Sequence, residues 1–117
     1  MAVRTKRAYE PAERADGYRI LIDRLWPRGV SKGEAHLDEW AKDLAPSPEL
    51  RRWFGHDPAR FDEFRRRYRD ELAAHHGELD ALRRRARGGR VTLVYGARDT
   101  EHNGAVVLAE LLETGPE

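Results

Sequence analysis

The sequence predicts an α/β fold: a small parallel sheet of about three strands packed with several helices, in a single domain over 1–117. Three observations predict it. The runs "YRILIDRL" and "RVTLVYGA" are apolar almost throughout, as strands covered on both faces are. Between them, apolar residues recur at helical spacing behind N-cap residues. A further helical stretch follows the second run, and right-handed crossovers turn the order strand, helices, strand, helix into a parallel sheet.

The elements follow in order. "VRTKRAY" alternates weakly and predicts a short strand over 3–8, and "EPAERADG" is an exposed loop rich in turn formers. "YRILIDRL" predicts a strand over 18–24. From Ser31 the period changes. "SKGEAHLDEWAKDL" places Ala35, Leu37, Trp40, Ala41 and Leu44 at roughly helical spacing, with Gly33 weakening its start. Ser47 and Pro48 start the next helix, with Leu50, Trp53 and Phe54 on one face. Asp57 and Pro58 repeat the device ahead of Phe61, Phe64, Tyr68 and Leu72, an amphipathic series. "ELDALRRRA" predicts a fourth helix that stops at Gly88-Gly89. A strand is expected over 90–97, then "RDTEHN", then the helix "GAVVLAELLE", which fades at Thr114-Gly115-Pro116.

Composition narrows the function classes. Of 117 residues, 39% are hydrophobic and 37% charged, with a net charge of +1, which describes a folded domain with heavily charged helix surfaces. There is no cysteine, so disulfides, thiolate metal sites and a Cys nucleophile are excluded together. The first residues carry no apolar run of a secretory signal, and no stretch approaches the ~18 apolar residues of a membrane span. A cytoplasmic protein with no membrane partner is expected. The 22 basic residues comprise 19 arginines and 3 lysines, a bias that genome base composition can produce without a functional cause. Residues 58–90 carry ten basic and six acidic groups, residues 91–117 one basic and five acidic, so +4 and −4 cancel. That balance suits facing helices, and "FRRRYR" and "LRRRAR" read as solvated faces, so a nucleic-acid partner is disfavoured.

Ligands in open parallel sheets bind beyond the carboxyl ends of the strands. Both expected long strands release into charged groups: Asp23, Arg24 and Arg28 after the first, with Trp26 as a wall, and Arg98, Asp99, His102 and Asn103 after the second. If the strands are parallel, the two sets share one edge. Arg24, Arg28 and Arg98 suit a phosphate or carboxylate, because the guanidinium fork binds such oxygens in pairs. Asp23, Asp99 and His102 are the candidate proton carriers. Trp26, Arg24, Arg28, Arg98 and Asn103 are the candidate ligand contacts. The alternative stands beside this reading: Asp99 or Thr100 is an ordinary N-cap, Arg24 pairs with Asp23 or Asp99, and the set is a structural ion-pair network. Trp40 and Trp53 read as core, and His56 as part of a loop or cap. No His/Asp/Glu set has metal-ligand spacing, no phosphate-binding glycine motif is present, and no cofactor is identified.

"YRILIDRLWPRGVSK", "WAKDLAPSPELRRWFGHDP" and "VTLVYGARDTEHNGAVVL" resemble the DUF488 family, in its cysteine-free branch, over nearly the whole chain. The resemblance implies a compact intracellular bacterial α/β protein and assigns no reaction. It implies that other branches carry a cysteine after the last strand, where this chain has Gly96 or Ala97, so thiol chemistry is not expected here. The leading expectation is an anionic small-molecule ligand at the carboxyl edge, with or without catalysis. The alternative is a non-catalytic interaction or regulatory module. Oligomeric state is not set by the sequence.

Overall fold

A computed structural model describes residues 3–114. Four strands form one sheet: β1 (Val3–Arg7), β2 (Tyr18–Leu21), β3 (Glu39–Trp40) and β4 (Val91–Tyr95). They are ordered β1-β4-β2-β3 and all paired strands are parallel, with Val91 opposite both Val3 and Tyr18. The parallel sheet was expected, with one strand fewer. Every residue of the inner strand β4 is buried, as a strand covered on both faces requires.

Five helices accompany it: α1 (Lys32–Ala35), α2 (Pro48–Phe54), α3 (Phe61–Leu72), α4 (His76–Gly88) and α5 (Gly104–Glu113). The caps behave as their residue types dictate. Ser47 Oγ accepts the Leu50 N–H at 3.1 Å, and Gly55 closes α2 in the left-handed region at φ 55°. Asp57 starts a 3₁₀ turn that runs into α3, whose Phe61, Phe64, Tyr68 and Leu72 are all buried. Phe54 stacks on Phe64 at 4.3 Å between centroids, and the Tyr68 hydroxyl donates to the Leu44 carbonyl at 2.5 Å. Helices α2 to α5 cover the face of the sheet that carries Ile20, Ile22, Val91, Leu93 and Tyr95, while Ala35 of α1 meets Arg19 on the other face. The last helix ends at Glu113 with Thr114 as its C-cap; Gly115 and Pro116, the rest of the expected stop, lie outside the described residues.

The opposite face is partly ionic. Asp16, fully enclosed in the turn before β2, meets Arg19 at 2.6 Å, Arg4 at 2.9 Å and Lys6 at 3.1 Å. Burial alone would push its carboxyl up. The Glu13 N–H, Lys6 and Arg19 outweigh that and hold it below the usual carboxylate range. Beside this group lies a small apolar cluster of Ala8, Leu21 and Val94, flanked by Trp26 and Trp40.

The stretch 31–44 departs from the expected helix. Ser31 caps α1, but the chain turns left-handed at His36 (φ 46°) after one turn. Asp38 N then donates to Arg19 O and Ala41 N to Leu21 O, both at 2.8 Å, which lays residues 39–40 along β2 as a strand. The free edge of β2 offers backbone partners that a weak, glycine-bearing helix does not outcompete. The long strands are also shorter than expected, ending at Leu21 and Tyr95.

Candidate functional site

Beyond the carboxyl ends of β2 and β4 lies a cavity of about 290 Å³. Ile22, Phe54, Phe64 and Tyr95 supply an apolar lining, and the exit of β2 from Asp23 to Arg28 forms one wall. Pro27 and Gly29 break that exit into a turn, so successive side chains diverge around the opening instead of continuing the sheet.

Asp23 sits at the junction. Its Oδ2 accepts the Gly96 N–H at 2.8 Å, and its carbonyl accepts Trp40 Nε1–H at 2.7 Å. Burial pushes its carboxyl up, against the pull of the Gly96 N–H and of the nearby Arg51 and His56. Arg24 reaches the Ala45 carbonyl through Nη2 at 3.5 Å, the limit of hydrogen-bond range. Its buried Nε has no partner. An orphaned buried donor costs about 1–3 kcal/mol. Arg24 also borders a second cavity of about 300 Å³, with Asp43, Ser47, Glu71 and His75 on its far side.

Trp26 is pinned as a wall by donation from Nε1 to the Val30 carbonyl at 2.7 Å and by an edge-to-face contact with Trp40 at 5.3 Å. Arg28 is exposed at the mouth, its carbonyl accepting the Tyr9 hydroxyl at 2.9 Å. Asn103 also borders the cavity, with its amide occupied: Oδ1 accepts the Val106 N–H at 2.9 Å and Nδ2 donates to the Asp99 carbonyl at 2.8 Å. It is Asn103, rather than Asp99 or Thr100, that caps α5.

Thus Asp23, Arg24, Trp26, Arg28 and Asn103 meet at one cavity, while Arg98, Asp99 and His102 do not line it. Arg98 is exposed. Asp99 Oδ1 accepts the Glu101 and His102 N–H groups at 2.9 and 3.0 Å, and its Oδ2 meets His102 Nδ1 at 2.9 Å. Those bonds, the Glu101 N–H foremost, hold the Asp99 carboxyl below its ordinary range. The His102 ring stands edge-on to Phe61 at 5.1 Å. Among the described residues no ion pair joins Asp23 or Asp99 to Arg24, Arg28 or Arg98, so the edge is not a mutual ion-pair network. A buried ionic network lies instead around Asp16, on the other face of the sheet.

Arg51, which has no expected role, and His56, which lies in a loop as expected, both border the cavity. Arg51 stands one helical turn before Phe54 on α2, a spacing that could have placed it beside the apolar face. His56 turns left-handed at φ 58° directly after the α2 cap. Trp53, read as core, lies at the core's margin beneath the guanidiniums of Arg60 and Arg67, 5.5 and 4.3 Å from the ring centroid.

The chain matches over residues 2–116 a family model described as the inactive DUF488-N3 subclade. It is 46% identical over 114 residues to the uncharacterised protein YeaO of Escherichia coli, covering 97% of this chain and 99% of that one. Uncharacterised proteins of Mycobacterium tuberculosis and Mycobacterium bovis are 44% identical over 110 residues, covering 94% of this chain and 92% of theirs. No solved structure matches it.

Proposed function

The chain belongs to the DUF488 family, in its YeaO-like subgroup, and on that premise we propose that it binds an anionic small molecule in the cavity at the carboxyl edge of its sheet. The observation that carries the reading is Arg24, which borders that cavity and whose buried Nε has no partner. A phosphate or carboxylate oxygen supplies the acceptor that the protein withholds, and a guanidinium fork suits two such oxygens. Arg28 and Arg51 add positive charge at the mouth, while Phe54 and Phe64 suit an apolar body on the ligand.

The reading is of binding without turnover. The subclade's description as inactive supports it. So does the space beside Gly96, where a Cβ would come within 3.1 Å of Asp23 Oδ2 and 3.6 Å of Pro27 Cβ. The Asp23 carboxyl occupies the position into which a side chain at 96 would project, and the chain has no cysteine to place there. Asp23 Oδ2 is engaged by the Gly96 N–H at 2.8 Å, so its carboxyl serves here as an acceptor that ties the strand exits together. Arg98, Asp99 and His102 have no ligand contact in this reading.

Amide-resolved NMR titration of the full chain with inorganic phosphate and with benzoate tests it. Shifts are expected to cluster at Asp23, Arg24, Gly96 and Ala97. Arg24→Gln is expected to weaken the affinity at least about tenfold, the scale of one charge-assisted hydrogen bond. Shifts scattered over the surface for both anions, or an affinity indifferent to Arg24→Gln, would remove the basis of the proposal.

A further inference from the structure

At the opposite, amino edge of the sheet the chain runs from Ala81 to Arg98 without an acidic residue. Arg83 at the start of this run pairs with Asp80 at 3.0 Å. Arg84, Arg85, Arg87 and Arg90 have no carboxylate partner among the described residues. The arginines of α3 differ: Arg66 and Arg67 meet Glu63, and Arg65 and Arg69 meet Glu110. Of two arginine-rich helices, only one is neutralised.

Arg84, Arg85 and Arg90 border an open cleft of about 750 Å³ together with Tyr18 and the Gly88-Gly89 pair. Its floor is fixed. Tyr18 N–H donates to the Arg90 carbonyl at 2.9 Å, and its hydroxyl donates to Glu39 at 2.6 Å. The Arg85 guanidinium lies 3.8 Å from the Tyr18 ring centroid, which orients its fork. Gly17 holds φ 65° against Arg90, where a Cβ would come within 2.3 Å of the Arg90 carbonyl oxygen. Gly88 and Gly89 present backbone with nothing within 4 Å of a Cβ position, so a ligand can approach closely. The carboxylate bordering the cleft, Asp38, has its Oδ2 engaged by the Arg19 N–H at 2.8 Å.

The negative end of the α4 dipole favours cations in its last turn, which lowers the cost of gathering them without a carboxylate. It leaves the guanidinium forks open. We infer that this cleft binds a linear oligophosphate, two or three phosphoryl groups in a chain, either free or carried on a nucleoside. Three arginines bordering one cleft supply several forks for several phosphoryl groups, each able to take two N–H donors. The arginines without a carboxylate are few, because those of α3 are met by Glu63 and Glu110. A nucleic-acid backbone draws its affinity from many phosphate contacts along a track, more than these few arginines supply.

Calorimetric titration of the full chain with inorganic tripolyphosphate at low salt tests the inference. Tripolyphosphate is expected to bind at least about tenfold more tightly than orthophosphate, and Arg84→Gln/Arg90→Gln to lose at least about tenfold of that affinity. Arg24→Gln, in the other cavity, and Arg66→Gln, on α3, are expected to bind within about twofold of the parent. These controls separate this cleft from the carboxyl-edge cavity, so either proposal can fail alone. Arg84 and Arg90 are exposed, and an unchanged melting temperature reports intact folding. ATP binding as tightly as tripolyphosphate assigns recognition to the phosphate chain alone; tighter ATP assigns it to a nucleoside-borne chain. No tripolyphosphate binding, unchanged affinity in the double variant, or preference for a single-stranded RNA of equal charge overturns the inference.

Discussion

The Gly96 N–H donates to Asp23 Oδ2 at 2.8 Å, and this bond joins the exit of β2 to the exit of β4. Through the Asp23 carbonyl and Trp40 Nε1 the same residue also holds the end of β3. The floor of the proposed ligand cavity is therefore tied together by one carboxylate whose burial disfavours its charge.

Replacing that charge is expected to stabilise the fold. Burial raises the folded-state pKa of Asp23 above its unfolded value, so folding disfavours the ionised form. Stability from this group is greatest at low pH and falls as pH rises from the unfolded carboxylate range through the folded pKa. Asp23→Asn keeps an oxygen for the Gly96 N–H and removes the charge. Urea unfolding at pH 7 is expected to show a gain in stability, because the charge that burial disfavours is gone. The gain shrinks toward pH 4. A loss that persists at both pH values would show that the acceptor geometry matters more than the buried charge.

Gly96→Ala acts on the same contact from the other side. The added methyl would meet Asp23 Oδ2 at 3.1 Å, tighter than ordinary contact, and the carboxylate is held there by the residue's own N–H. A cost of about 1–3 kcal/mol is expected, the range for overfilling a packed site. Gly88→Ala is the matched comparison, because nothing lies within 4 Å of its Cβ position and it closes α4. Thermal unfolding of the two variants should move in opposite directions, or leave the Gly88 variant unmoved.

Those contacts divide what was legible in the sequence from what was not. β4 was legible because "VTLVY" is apolar on both faces, and α3 because its buried residues keep the helical period. Caps at Ser47 and Asp57 were legible because they act within three residues. The stretch 31–44 was not, because its conformation answers to Arg19 and Leu21 across the sheet instead of to its own period. The same holds for the site. Asp23, Arg24, Trp26 and Arg28 follow from a strand exit read locally, whereas Arg51 and His56 reach the cavity through the packing of α2. The Asp16 network was invisible for that reason as well: its partners Arg4, Lys6 and Arg19 come from two strands, each ordinary alone.

That network is expected to govern stability in acid. Asp16, Arg19 and Lys6 are 0%, 3% and 6% exposed, and the Asp16 carboxyl is held below its unfolded pKa. A lowered folded pKa contributes stability above the unfolded carboxylate range, which is lost as pH falls through the folded value. Asp16→Ala leaves Arg19 a buried cation with no carboxylate, and Lys6 with Glu13 alone at 2.7 Å, and is expected to cost about 3–5 kcal/mol at pH 7. Asp16→Asn, which retains an acceptor, should cost less, and its deficit relative to the parent should narrow below about pH 4. Urea midpoints at pH 7 and pH 3 measure both effects; a deficit for Asp16→Asn that is constant with pH would contradict the ionic role.

The carboxyl edge makes a last, sharper prediction, because two neighbouring groups there have opposite stakes in it. Asp99 spends its Oδ1 on two backbone N–H groups and its Oδ2 on His102, and neither side chain lines the cavity. Removing Asp99 therefore unties the turn ahead of α5, and Asp99→Ala is expected to cost about 0.5–2 kcal/mol, as the loss of a helix cap does. His102→Gln, trimming the ring that stands against Phe61, should cost a similar or smaller amount. Neither change touches Arg24, whose Nε is the unpartnered donor. Phosphate affinity, measured well below the melting temperature of each variant, should stay within about twofold of the parent for both and fall about tenfold for Arg24→Gln. If His102→Gln instead abolished phosphate binding while the fold stayed intact, the ligand site would extend past Asn103 to the Asp99–His102 turn, and the cavity alone would no longer define it.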